Sequence, residues 1–385
     1  MYESRRPETI AAGDGMGKDA AFGAVAPPLY LATSFRFEGF ERPRANEYSR
    51  TSNPTRDQLA GALAKLEGGA GATIVSSGMA AVDLVLCGLR PGDLVVAPHD
   101  CYSGTSRLLN FRAAMGRFKV LFVDQGDAVA LDAAFALRPK LVLVETPSNP
   151  LLRVVDIAAI SRKARAAGAA VAVDNTFLSP ALQLPISLGA DFVIHSTTKY
   201  LNGHSDVVGG AVIAATAENA ADLASWANIT GVTGAPFDSY QTLRGLRTLF
   251  PRIERQQKTA EVIAAYLQGH RRVSAVYYPG LESHPTHAIA RAQQRGFGAM
   301  LSFEIAGDAA TVKGFVESLQ IFTLAESLGG VESLVAHPVT MTHAGMTVEA
   351  RRQAGIKATL LRVSVGLEAE ADLLQDLAQA LDHGR

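Results

Sequence analysis

The 385-residue sequence predicts an α/β fold built on a doubly wound, mostly parallel sheet. Short apolar runs, helical stretches between them, and strict alternation of the two from about residue 55 to about residue 215 carry this expectation. Each apolar run is nearly continuous rather than alternating, as strands covered on both faces by helices must be.

Taken in order, residues 1–50 are irregular, punctuated by Pro27, Pro28 and Pro43, and have few ways to bury themselves. They are expected to form an arm that packs on a neighbouring subunit. Residues 56–69, RDQLAGALAKLEGG, read as a helix. The strands follow at 72–76, 93–98, 119–124, 140–145, 169–174, 190–196 and 209–215. Among the intervening helices, DIAAISRKARAAG ends at Gly168, a residue suited to the left-handed cap. Residues 243–269 predict a long helix or a helix pair interrupted by Pro251. Beyond it, AMLSFEIAG and LLRVSVG predict the strands of a smaller α+β domain. The expected division is therefore an arm at 1–50, an α/β domain at 51–254 and a C-terminal α+β domain at 255–385.

Composition narrows the function. Hydrophobic residues make up 48% and charged residues 19%, and 36 Lys plus Arg face 37 Asp plus Glu. A net charge of −1 gives no basic footprint for nucleic acid. No run approaches a membrane span and no signal peptide is evident, so a cytoplasmic protein is expected. Cys87 and Cys101 are too few for a disulfide framework and read as reduced, buried residues. His195 and His204 lack cysteine or carboxylate partners at ligand spacing, so no metal is expected.

In open α/β sheets ligands sit beyond the carboxyl ends of the strands, so the residues just after each strand are the candidates. SSGMAA at 76–81 is a glycine turn opening a helix, either a tight turn or a phosphate cradle. Asp174 closes one strand, and Lys199 follows the next. A strand-end Asp alone is more readily a cap or salt-bridge partner. An amine, a carboxylate one strand away and a helix N-terminus together meet the demands of pyridoxal 5′-phosphate (PLP): an amine for its aldehyde, a partner for its ring nitrogen and a cup for its phosphate. Arg362, inside the apolar strand LLRVSVG, presents a planar fork that suits a carboxylate held bidentately, or else an internal salt bridge. Glu145 reads as a local hydrogen-bond partner rather than an acid or base.

The run AVAVDNTFLSPALQLPISLGADFVIHSTTKYLNGHSDVVGG (170–210) resembles the signature of the Cys/Met-metabolism, or trans-sulfuration, PLP enzymes. The likeness continues in YSRTSNPTR (48–56), SSGMAA, HDCYSGTSRL (99–108), VETPSNPLLRVVDI (144–157), GAPFDSYQTLRGLRTL (234–249), GFGAML (296–301) and FTLAESLGGVESLVAHPVTMTHAGM (322–346). It implies fold type I of the PLP-dependent transferases, the aspartate aminotransferase-like fold, assembled as a dimer of dimers with shared active sites.

Residue by residue, the resemblance implies that Lys199 bonds the cofactor and shuttles protons while Asp174 pairs with the ring nitrogen. Ser77, Gly78 and Met79 through backbone N–H groups, with the Ser196 and Thr198 hydroxyls, would hold the phosphate. Tyr102 would stack on the ring and serve in proton transfer, and Tyr48 and Arg50 would reach a neighbouring subunit's phosphate. Asn149, Ser327 and Arg362 would bind the substrate α-carboxylate, and Glu326 and Arg107 would suit a γ-substituted substrate. The implied reaction is γ-replacement of an activated homoserine ester by cysteine. Elimination from cystathionine and direct sulfhydrylation are the alternatives. Thr51 stands where some members carry a second arginine, which leaves succinyl or acetyl ester open.

Overall fold

The structure is a computed structural model that describes residues 5–383. Seven strands form the larger sheet: β1 (Gly71–Val75), β2 (Leu94–Pro98), β3 (Lys119–Val123), β4 (Leu141–Glu145), β5 (Ala170–Asp174), β6 (Phe192–Ser196) and β7 (Gly210–Ala214). Six lie within a run predicted from sequence, and β1 begins one residue before its predicted run at 72–76. Their spatial order is β1-β7-β6-β5-β4-β2-β3. The pairings are parallel except at β7, which runs antiparallel to both β1 and β6. No helix separates β6 from β7, so the chain turns straight back instead of crossing over, which makes the pair antiparallel.

Both faces of this sheet are covered. Along β5, Ala172 joins a core shared with the helices Gly78–Leu86 and Ala217–Thr230, whereas Val171 and Val173 join one shared with Ala128–Ala136 and Ile157–Ala167. This two-sided burial is the reason the strands read as unbroken apolar runs. Helix ends follow their residue types. Asn53 accepts the N–H groups of Thr55 and Arg56 ahead of helix Pro54–Glu67, and Gly168 closes Ile157–Ala167 at a φ of 76°.

Two details depart from the sequence expectation. The arm is not wholly irregular: Pro7–Gly13 is a helix, started by proline in its first turn. Residues 243–269 do form parts of a helix pair, Pro236–Leu246 and Leu249–Gln268, but the break falls at Arg247–Thr248. Pro251 sits in the first turn of the second helix, where its missing N–H costs no hydrogen bond.

The second sheet comprises β8 (Val273–Tyr277), β9 (Met300–Ile305), β10 (Thr323–Leu324), β11 (Leu334–Ala336) and β12 (Leu360–Ser364), in the order β10-β11-β12-β9-β8. Helix Leu249–Gln268 lies between the sheets, and its Ile253, Ile263 and Leu267 share one core with Val193 and Ile213 of the first and Phe303 and Leu361 of the second. This packing brings β12, with Arg362, over the strand ends of the larger sheet. No helix among the described residues is long and apolar enough to cross a membrane.

Candidate active site

The carboxyl ends of β1, β2, β4, β5 and β6 open into a cavity of about 470 Å³. It is lined by Ser77, Gly78, Met79, Tyr102, Arg107, Asn149, Asp174, Ser196, Thr198, Lys199, Glu326, Ser327 and Arg362. Every candidate outside the arm therefore converges on one cavity. Tyr48 and Arg50 do not line it: Tyr48 is 49% exposed, and Arg50 donates to the Asn228 carbonyl at 2.8 Å and its side-chain oxygen at 2.6 Å.

At the floor, β5 and β6 pair in parallel with Asp174 opposite Ile194, so Asp174 ends one strand beside the chain leading to Lys199. Burial pushes the Asp174 carboxyl above its usual range, against bonds from Thr176 that lower it. Across the β4–β5 pair stands Glu145, pushed much higher by burial and by the neighbouring Asp174 charge. Glu145 accepts the Tyr102 N–H at 2.8 Å and the Asn149 N–H at 3.3 Å. The reading of Glu145 as a local hydrogen-bond partner matches these contacts. It also ties together the backbones of two site residues.

At one end, Ser77 caps helix Gly78–Leu86 by accepting the Ala80 N–H at 3.1 Å. A Cβ on Gly78 would come within 2.7 Å of Ser196 Cβ, so glycine alone lets the helix start approach the end of β6. Thr198 lines the cavity while its hydroxyl donates to the Gly209 carbonyl at 3.2 Å and accepts the Gly209 N–H at 3.0 Å.

At the other end, Lys199 Nζ donates to Ser327 Oγ at 2.7 Å. Burial, reinforced by the Arg362 charge, lowers the Lys199 ammonium to about 8. Ser327 adopts a φ of 94°, a costly backbone for a residue with a side chain. Its carbonyl accepts Arg362 Nη2 at 2.8 Å while its hydroxyl accepts Lys199, so one residue spans both cations. Arg362 also donates Nη1 to Asn149 Oδ1 at 3.1 Å. Its Nε is buried with no hydrogen-bond partner. Arg362 is 3% exposed, and burial lowers its guanidinium to about 10.

Sequence reasoning missed the cover of the site. Met341, Thr342 and Gly345 line the cavity, and the Thr342 carbonyl accepts the Ser103 hydroxyl at 2.8 Å. His343 Nε2 donates to the Asn149 carbonyl at 3.2 Å, and burial lowers its ring to about 4, so it is neutral near pH 7. These residues lie in FTLAESLGGVESLVAHPVTMTHAGM, where the sequence marks only Glu326 and Ser327 as candidates. His204, the other half of the dismissed metal pair, places Nδ1 2.8 Å from the Asn202 carbonyl. Cys101 is buried, whereas Cys87 is only half-buried.

These residues fit PLP. The buried Asp174 carboxyl at the end of β5 suits a cationic ring nitrogen, the glycine-lined helix start suits a phosphate, and a depressed lysine suits an aldehyde. Residues 8–382 match the family described as Cys/Met metabolism PLP-dependent enzymes. The chain is 58% identical over 375 residues, 97% of each sequence, to a cystathionine gamma-synthase of Escherichia coli. It is 46% identical to a cystathionine beta-lyase of Lactococcus lactis, over 96% of this chain and 97% of that one. Among solved structures it resembles cystathionine gamma synthase of Xanthomonas oryzae in complex with cystathionine, with a TM-score of 0.98, 55% identity and 99% coverage of both chains. On the full-length match and the cofactor-shaped donor set together, the chain belongs to the Cys/Met-metabolism family of PLP-dependent enzymes.

Proposed function

We propose that this protein is a cystathionine γ-synthase: it replaces the γ-acyloxy group of an activated homoserine ester with the thiolate of L-cysteine, giving L-cystathionine and the free acid. The observation that carries the reading is the pairing of a lysine lowered to about 8 with a carboxylate-binding fork, joined through Ser327. The near-full-length identity to the Escherichia coli enzyme supports the choice of reaction. In this reading residues 51–254 hold the cofactor, 255–385 form the smaller domain, and the protein works in the cytoplasm as a dimer of dimers. The arm carrying Tyr48 and Arg50 then serves a neighbouring subunit, in keeping with the exposure of Phe22, Leu31 and Phe40 along it.

The residues divide the work by position. Bound PLP supplies an electron sink that acidifies the substrate Cα–H. Asp174 would hold the ring nitrogen, Ser77, Gly78, Met79, Ser196 and Thr198 would hold the phosphate, and Tyr102 would pack against the ring. Arg362 and Asn149 fix the α-carboxylate. Because Ser327 contacts both Arg362 and Lys199, a carboxylate there brings Cα to Lys199 Nζ, which takes the Cα proton and moves protons on to the neighbouring carbon. Glu326 and Arg107, both exposed at the cavity wall, flank the distal part of a γ-substituted substrate. Met341 and Thr342 contribute to the cavity wall beside these groups.

Lys199 gives a pH signature. The neutral amine is the reactive form, and burial lowers its pKa to about 8, so reactivity is half-maximal near that pH. Stopped-flow capture of PLP by the apoenzyme should rise about fivefold from pH 7 to 8 and level off by about pH 9. An ordinary lysine would still be climbing near pH 10. The function itself is tested by product analysis. Without cysteine, the ester should give slow release of 2-oxobutanoate and ammonia. With cysteine, that release should fall as cystathionine appears, and unchanged oxobutanoate release would contradict γ-replacement.

A further inference from the structure

Behind the strands that end at Asp174 and Ser196 lies a polar layer with no part in the chemistry above. Side chains alternate along a strand. Asp174, like Ala172, belongs to the face of β5 that opens on the cavity, and Ile194 and Ser196 share that face of β6. Asn175 and His195 take the opposite parity, on the side where helix Pro54–Glu67 packs through Leu59, Leu63 and Leu66.

Both meet one carboxylate there. Glu67, the last residue of that helix, places Oε1 2.6 Å from His195 Nε2 and accepts Asn175 Nδ2 at 2.9 Å. The Glu67 and His195 side chains are 0% and 1% exposed, and Glu67 Oε2 has no hydrogen-bond partner. A carboxylate so buried is costly to keep unless its hydrogen bonds offset the lost hydration. Asn175 extends the layer: its Nδ2 also donates to the Gln183 carbonyl at 2.9 Å, and Gln183 Nε2 donates to Asn175 Oδ1 and to the Thr146 carbonyl, each at 3.0 Å. Thr146 directly follows Glu145, so all three central strand ends are tied from behind.

We propose that Glu67 is a positioning residue for the cofactor, clamping the ends of β5 and β6 from the reverse face. The clamp sets the separation of Asp174 from Ser196, which the nitrogen and phosphate ends of one PLP must span together. This rests on the proposed assignment of those two residues to PLP. The His195 charge also favours the ionised form of Asp174 that a protonated ring nitrogen requires.

The test is titration of full-length apoprotein with PLP, followed by absorbance, for wild type and Glu67→Gln. The variant keeps the side-chain volume and loses the charge. It is expected to fold with an unchanged circular-dichroism spectrum and to bind PLP about tenfold more weakly, the scale of loss known for outer-layer partners of bound metals. At saturating PLP its kcat should fall while KM for the acylhomoserine stays within about twofold, because Arg362 and Asn149 are untouched. Wild-type PLP affinity and kcat in this variant, or a loss confined to KM, would overturn the proposal. Should Glu67→Gln not fold, the double variant Glu67→Met/His195→Leu replaces the pair with apolar side chains of similar size, an exchange buried pairs often tolerate. It too should lose PLP affinity, and wild-type affinity there overturns the clamp. Wild-type protein that takes up no PLP would refute the cofactor site itself, a separate failure.

Discussion

Lys199→Ala is expected to abolish the visible absorbance of bound PLP and to lower turnover by a factor on the order of 10⁴ or more, the scale seen when a covalent-chemistry residue is removed. Two roles are lost together. The amine that bonds the cofactor aldehyde disappears, and so does the base within reach of a substrate bound at Arg362. The vacated space leaves the Ser327 hydroxyl without its 2.7 Å donor, a small penalty that should not unfold the protein. Ultraviolet–visible spectra and single-turnover assays check both points, and a native spectrum with a native rate would refute the assignment. Because PLP can still lie on Asp174 and the phosphate cup, the variant should retain weak cofactor binding that borohydride does not fix covalently to the chain.

Arg362→Ala comes second in expected effect. The guanidinium is 3% exposed, already holds Asn149 Oδ1 and the Ser327 carbonyl, and keeps one buried donor, Nε, without a partner. Removal leaves two acceptors unpaired and deletes the carboxylate fork. kcat/KM should fall by a factor on the order of 10² or more, since truncating one side of a desolvated charge pair costs several kcal/mol. Substrate amides, which lack the charge, should distinguish wild type from variant far less. An equal loss with carboxylate and amide would mark Arg362 as structural. Loss of the cation should also raise the Lys199 pKa, because its charge is the second largest influence lowering it. The plateau in PLP capture should move upward in pH accordingly.

Much of the architecture was legible because one physical pattern, burial on both faces, marks the central strands of the larger sheet, and the partly buried edge strands β1 and β3 keep the same apolar composition. Strand direction was not. An antiparallel strand enclosed between two others, as β7 is, has the same apolar run as its parallel neighbours. Pro251 misled for a comparable reason: residue type marks a helix break, but the first turn tolerates proline and only geometry locates that turn. Asp174, Ser196 and Lys199 could be found because they stand at or just after strand ends, where the fold must place its ligand. Arg362 could be found because a guanidinium is conspicuous inside an apolar strand, and Arg107 only through the family resemblance. The Glu67–His195–Asn175 layer had no such marker, since its members are separated in sequence and each alone reads as an ordinary polar side chain. His343 and Thr342 were hidden for the same reason: their contacts run to Asn149 and Ser103, nearly 200 and 240 residues away along the chain. Arg50 is different again, because its proposed target lies outside a single chain.

Cystathionine synthesis and cystathionine breakdown, compared in the same buffer on the same enzyme, test the γ-replacement account most directly. With an acylhomoserine and L-cysteine, cystathionine should accumulate, and L-cystathionine supplied alone should be cleaved only slowly. Efficient cleavage to cysteine, 2-oxobutanoate and ammonia with negligible synthesis would make the enzyme a γ-lyase and contradict the account.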